Sequence, residues 1–193
     1  LPIWGAPIEM GERDSLSYAS AELMYSRADY KNALNLFRQY LEEFPQGAYA
    51  VNAWYYQAVI YQNDNDYDNA LDCYEKCASY ENSRFCEESL NQAASMAFTI
   101  GDYKSALNNY KRLADRTVDI NKRRNSYIGV VKSAMQLSDY NTLLAYVDKA
   151  VDLAQTELER NELLCHKAKA LLLVDRQDEA LKLYEQLSAD PRT

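Results

Sequence analysis

The chain has 193 residues, 48% of them hydrophobic, and a formal net charge of -8 from 29 acidic and 21 basic side chains. With 5 Gly and 4 Pro it has too little punctuation for a disordered, collagen-like or turn-rich all-β chain, and its acidic balance argues against nucleic acid as a main partner. No run approaches the roughly 18 apolar residues of a membrane-spanning helix; the longest aliphatic run is Leu171 to Val174.

Residues 1–13 open Leu1-Pro2-Ile3-Trp4-Gly5-Ala6-Pro7-Ile8, apolar and Pro-rich, and read as an extended segment over the first helical pair. From residue 14 to 190 the pattern repeats. Asp29-Tyr30-Lys31-Asn32-Ala33-Leu34, Asp66-Tyr67-Asp68-Asn69-Ala70-Leu71 and Asp102-Tyr103-Lys104-Ser105-Ala106-Leu107 share D-Y-x-x-A-L, and weaker copies stand at Asp139 to Leu144 and Gln177 to Leu181. At the Ala slot (33, 70, 106, 143, 180) the steps are 37, 36, 37 and 37 residues. Twelve residues before it stands Ala21, Ala58, Ala94, Val131 or Ala168, and four after it Phe37, Tyr74, Tyr110, Val147 or Tyr184. Apolar residues flank each break at spacings of three and four, which predicts two helices per unit joined by a tight turn. The small slots allow the paired helices to cross closely, with the large residue filling the gap beside them. The predicted repeats run over about 14–47, 48–82, 83–118, 119–155 and 156–190.

The stretch Asp64 to Glu75 places acidic residues at EF-hand positions, but Asn69 replaces the turn glycine. As one copy of the repeat it is the start of a second helix, whose carbonyls are committed to the helical ladder. No metal site is read: no CxxC pair exists and the chain has 1 His. His166 and Cys165 are neighbours on a predicted helix and point apart, so they make a poor dyad. With no phosphate loop and no nucleophile elbow, no catalytic residue and no cofactor is expected. Lys122-Arg123-Arg124 reads as a solvated helix start.

The repeat resembles the tetratricopeptide repeat family: Trp54, Ala58 and Tyr61, then Ala70, Tyr74 and Cys77, occupy its signature slots, and Pro45 fits the proline after a second helix. The period exceeds the family's 34 residues, and Leu143 departs from its Ala. The phrase Phe44 to Tyr55 is similar to tetratricopeptide proteins of Gram-negative cell envelopes, the outer-membrane assembly lipoprotein and the Tol-Pal coordinator among them. The resemblance implies an all-α, right-handed α-solenoid of five helix-turn-helix repeats, acting as a non-catalytic scaffold for a protein or peptide partner, with the first helix of each pair lining a concave face.

The contact residues expected on that face are Tyr18, Glu22 and Tyr25; Asn52, Tyr55, Val59 and Gln62; Asn91, Ser95 and Phe98; and Lys132 with Ile128 and Met135. Tyrosine offers contact area at low entropic cost, though the same tyrosines also serve ordinary inter-repeat packing. The Lys, Arg and Asn set that clamps C-terminal carboxylates in chaperone-binding relatives is absent from the aligned slots. The alternative function is architectural: the last predicted helix, about 177–188, lacks a polar capping helix after it, which points to self-association through repeat ends or to a longer array.

Overall fold

The computed structural model describes residues 10–189, which form ten α-helices and no strand. They run as α1 (Met10–Ser26), α2 (Tyr30–Glu43), α3 (Ala50–Asn63), α4 (Tyr67–Ala78), α5 (Cys86–Thr99), α6 (Tyr103–Arg116), α7 (Ile120–Gln136), α8 (Tyr140–Leu153), α9 (Glu157–Leu173) and α10 (Gln177–Ala189). The all-α fold of tandem helix-turn-helix pairs expected from the sequence is the fold observed. One boundary is corrected. Helix α1 begins at Met10, so residues 10–13, read as extended, are helical; the last breaker is Pro7, and Glu12 in the first turn favours a helix start. The rest of that N-terminal segment lies outside the described residues. No described helix is long and apolar enough to cross a membrane.

The chain divides into two compact units, one up to Ser89 and one from Leu90, with the boundary inside α5. In the first, α1 packs on α2, α2 on α3 and α3 on α4 around Tyr18, Phe37, Tyr40, Ala53 and Ile60. In the second, α6 to α10 pack each on the next, and Val131, Leu143, Val147 and Leu163 share a core.

The turn inside every described pair contains a left-handed residue, and four of the five share one capping chemistry. Ala28, Asn65, Gly101, Ser138 and Asp175 sit at φ of 59°, 59°, 82°, 54° and 62°, the left-handed cap that ends a helix. The amide of the next residue reaches back five positions: Asp29 donates to the Met24 carbonyl at 3.0 Å, Asp66 to Tyr61 at 2.9 Å, and Asp139 to Ala134 at 2.9 Å. That same aspartate then caps the second helix. The carboxylates of Asp29, Asp66, Asp102 and Asp139 accept from the amides of Asn32, Asn69, Ser105 and Thr142. The recurrent Asp is thus the N-cap, and Tyr67 to Ala78 is a continuous helix. Hydrogen bonds from Ser105 and Thr142 hold the Asp102 and Asp139 carboxyls below the usual range.

All ten crossing slots are 0% exposed: Ala21, Ala58, Ala94, Val131 and Ala168 on first helices, Ala33, Ala70, Ala106, Leu143 and Ala180 on second ones. Leu143 is accommodated like the alanines. The large slot is not uniform, because Phe37, Tyr74 and Val147 are buried but Tyr184 is 38% exposed. The basic cluster is corrected as well. Arg123 is half-buried and its Nη2 donates to the carbonyl of Thr117, the C-cap of α6, at 2.5 Å.

Asp14 is buried in the first unit, where its Oδ1 accepts from the Tyr40 hydroxyl at 2.5 Å and its Oδ2 from the Ala48 amide at 2.9 Å. The Tyr40 oxygen in turn accepts from the Tyr49 amide at 3.0 Å. This relay ties α1 and α2 to the loop entering α3, and satisfies the charge that burial would otherwise penalise.

Candidate functional site

Along the first helices of the N-terminal unit runs a row of aromatic rings in mutual contact, completed by Phe85 from the turn before α5. Tyr25 of α1 meets Tyr56 of α3 at a centroid distance of 4.6 Å, Tyr56 meets Tyr55 at 6.3 Å, and Tyr55 stacks on Phe85 at 4.5 Å and 25°. Each of these rings is half-buried, and the Arg84 guanidinium stands 4.7 Å from the Phe85 ring centroid. Tyr56 also stacks on the core residue Phe37 at 5.3 Å, so the row is fixed from beneath. Burial, then the charge of Glu88, pushes the Tyr55 hydroxyl above its ordinary pKa.

The sequence-predicted residues of this unit divide. Glu22 is exposed, and Tyr25, Asn52, Tyr55, Val59 and Gln62 are half-buried. Tyr18 is a correction: it is 5% exposed, stacked on Tyr49 at 4.4 Å, and belongs to the core. The ring that covers it lies 31 positions along the chain, outside the reach of helical periodicity. The two amides have structural partners: Asn52 hydrogen-bonds the Tyr18 hydroxyl, and Gln62 Oε1 accepts from the Tyr74 hydroxyl at 2.6 Å.

In the C-terminal unit Asn91 is half-buried, Ser95 exposed, and Phe98 half-buried with its edge against Tyr103 at 5.2 Å. Exposed Lys132 shares with Ile128 a hollow of about 150 Å³ that α9 closes with Leu158, Glu162 and His166. Burial, then the nearby Lys132 charge, lowers the pKa of His166, and Glu162 opposes this. Met135 is half-buried beside the same core.

A larger cleft, of about 860 Å³, lies on the other side of α3. Trp54, Gln57 and Tyr61 line it from α3, Arg38, Leu41 and Glu42 from α2, and Asp72, Cys73 and Lys76 from α4. At roughly 100° per residue these α3 positions point about 150° away from Asn52, Tyr55, Val59 and Gln62. Arg38 donates to the Tyr61 hydroxyl, and its guanidinium stands 5.7 Å from that ring's centroid. Burial, then Asp72, pushes the Cys73 thiol up to about 12, so it is no nucleophile at neutral pH. Sequence reasoning missed this cleft, although two signals existed: Trp54, Gln57 and Tyr61 at helical spacing, and the opposite charges Arg38/Glu42 and Asp72/Lys76 one turn apart.

Comparison with known proteins agrees with this architecture. Residues 14–47 and 51–83 each match a tetratricopeptide repeat family model. The TPR repeat-containing protein MJ0263 of Methanocaldococcus jannaschii is 32% identical over 101 residues, 51% of this chain and 31% of that protein; the chain spans about a third of that relative's length. Among solved structures, YrrB, "a TPR protein with an unusual peptide-binding site", is 13% identical with a TM-score of 0.59 over 89% of this chain and 82% of its own. MamA is 13% identical with a TM-score of 0.58, covering 92% and 91%. A Podosopora anserina putative kinesin light chain with nearly identical TPR-like repeats is 14% identical, with a TM-score of 0.52 over 94% and 96%. The first two helical pairs of this chain therefore match the tetratricopeptide repeat, and its helical fold is the one these solved repeat proteins share.

Proposed function

We propose that this chain is a non-catalytic scaffold that holds a protein or peptide segment, with the first-helix face of its N-terminal unit as the contact surface. The observation that carries the reading is the linked row Tyr25, Tyr56, Tyr55 and Phe85. These rings are half-buried and held in place by one another, so a partner gains apolar contact with little ordering cost. Glu22, Asn52, Val59 and Gln62 flank the row, and Asn91, Ser95 and Phe98 on α5 and Lys132 on α7 are further candidate contacts. Stacked helical repeats generally bind through the extended concave surfaces they create, and the peptide-binding site of YrrB supports the same reading. The likeness of Phe44 to Tyr55 to envelope proteins supports a cell-envelope setting.

A second reading places the segment in the cleft around Trp54, on the strength of its volume and its mixed charges. A random peptide library selected on the immobilised chain, followed by calorimetry of the enriched peptides, tests both. Tyr55→Ala should weaken binding at least tenfold while Trp54→Ala leaves it unchanged, with both variants as helical as the parent. The opposite ranking moves the site to the cleft. Failure to enrich any peptide refutes the scaffold reading in favour of an architectural role.

A further inference from the structure

The cleft around Trp54 has a counterpart in the C-terminal unit, 73 positions along the chain. Arg38 and Glu42 of α2 correspond to Lys111 and Asp115 of α6, Trp54 of α3 to Tyr127 of α7, and Lys76 of α4 to Lys149 of α8. These pairs keep their chemistry: cation for cation, carboxylate for carboxylate, ring for ring. One pair does not. Cys73 in the first unit stands where Tyr146 stands in the second.

In the C-terminal unit the Tyr146 ring occupies the groove that α6, α7 and α8 form. Its centroid lies 6.0 Å from that of Tyr127, and the ammonium groups of Lys149 and Lys111 stand 5.0 and 5.6 Å from it. Burial, then the charge of Asp115, raises the pKa of its hydroxyl, so the phenol lies within the field of that carboxylate. A ring is thus held by two cations at its π system and by a second ring tilted against it.

The N-terminal unit keeps the groups that hold a ring and supplies none at Cys73. Arg38, fixed by Tyr61, lines the cleft together with Lys76, Trp54 and Glu42, and the space between them is about 860 Å³. The charges of this lining restrict what can enter. Glu42, Asp72 and Glu75 oppose an anion, whereas Arg38 and Lys76 oppose a cation at the position that Tyr146 takes in the other unit. A neutral aromatic ring satisfies both: its faces attract the two cations, its edge packs on the indole, and a phenol hydroxyl can donate to Glu42.

We propose that the cleft around Trp54 receives a tyrosine or phenylalanine side chain from a peptide segment of a protein partner, seated between Arg38 and Lys76 against the indole, as Tyr146 is seated between Lys111 and Lys149 against Tyr127. This gives the cleft a ligand chemistry of its own, and it stands whether or not the Tyr55 row binds a segment.

A random peptide library selected on the immobilised full chain carrying Tyr55→Ala tests this, because that background separates the cleft from the row. The enriched peptides should share a Tyr or Phe whose replacement by Ala abolishes binding in calorimetry. Cys73→Tyr, added to the same background, supplies the ring internally and should weaken binding by roughly tenfold or more. It should also keep the melting temperature of that background, since the second unit accommodates a tyrosine at the same slot. Lys76→Glu, at an exposed side chain, should weaken binding similarly, and Lys76→Arg should retain it. The proposal is overturned if no peptide is enriched, if the enriched peptides bind without an aromatic residue, or if Cys73→Tyr or Lys76→Glu binds as tightly as the background. A lower melting temperature for Cys73→Tyr overturns it as well, because the two grooves would then not be equivalent.

Discussion

Gly129 of α7 sits under the ring of Tyr110, and replacing it with alanine sets two effects of known sign against each other. A Cβ there would lie 2.6, 2.6 and 2.7 Å from the Cδ2, Cε2 and Cδ1 atoms of that ring. Ordinary carbon contacts are about 3.5–4.0 Å, so the ring would have to recede by about 1 Å within a packed joint. Glycine inside a helix costs about 1 kcal/mol relative to alanine, so propensity alone predicts that Gly129→Ala stabilises. Overpacking a filled interior costs about 1–3 kcal/mol, which outweighs that gain. The expected result is a melting temperature lowered by up to about 8 °C, taking 2–4 °C per kcal/mol for a chain of this size. In a Tyr110→Ala background the obstruction is gone and the same substitution should stabilise by about 1 kcal/mol. Thermal melts of the parent, both single variants and the double variant form a cycle with an expected coupling of about 1–3 kcal/mol. Equal stabilisation by Gly129→Ala in both backgrounds would refute the packing argument and leave only helix propensity.

Asp14→Ala strips the Tyr40 hydroxyl and the Ala48 amide of their buried acceptor and should cost about 2–4 kcal/mol in a urea titration, with Asp14→Asn costing less because one acceptor oxygen survives. Ala28→Gly removes a left-handed alanine at φ 59° and should stabilise by about 0.5–1 kcal/mol, the relief of roughly 1–2 kcal/mol of strain offset by added freedom in the unfolded chain; a lowered melting temperature would contradict the turn assignment. Burial raises the pKa of Tyr18, Tyr40 and Tyr74 well above the ordinary value of 10.0, so the folded state retains protons that the unfolded state loses. Their contribution to stability is complete below pH 10 and is lost as pH rises toward the folded-state values, by about 1.4 kcal/mol per pH unit for each. Melts between pH 9 and 11.5, compared with a Tyr74→Phe variant whose slope should be shallower, measure this; a flat profile would refute it.

The repeat length, the crossing slots and the type of every element were legible in the sequence because each depends on residues within about one helical turn. A break that ends one helix with a left-handed residue and caps the next with Asp29, Asp66, Asp102 or Asp139 recurs every 36 or 37 positions. The slots at Ala33, Ala70, Ala106, Leu143 and Ala180 follow from the spacing of apolar residues around it. The candidate surface was legible only in part. Tyr25 and Tyr55 have the half-buried setting their helical position implies, but Tyr18 repeats the same spacing and lies in the core under Tyr49.

Burial is decided by whichever element arrives from elsewhere in the chain, and helical periodicity carries no record of it. The same reason applies to Asp14, whose acceptor role exists only because Tyr40 and Ala48 fold over it, and to Arg123, drawn out of solvent by the carbonyl that ends α6. The cleft around Trp54 left only a trace in the helical spacing of Trp54, Gln57 and Tyr61, because α2, α3 and α4 together form it. Local chemistry in the sequence therefore determined the described helices and their turns, and tertiary packing alone decided which faces of those helices remain open to a partner.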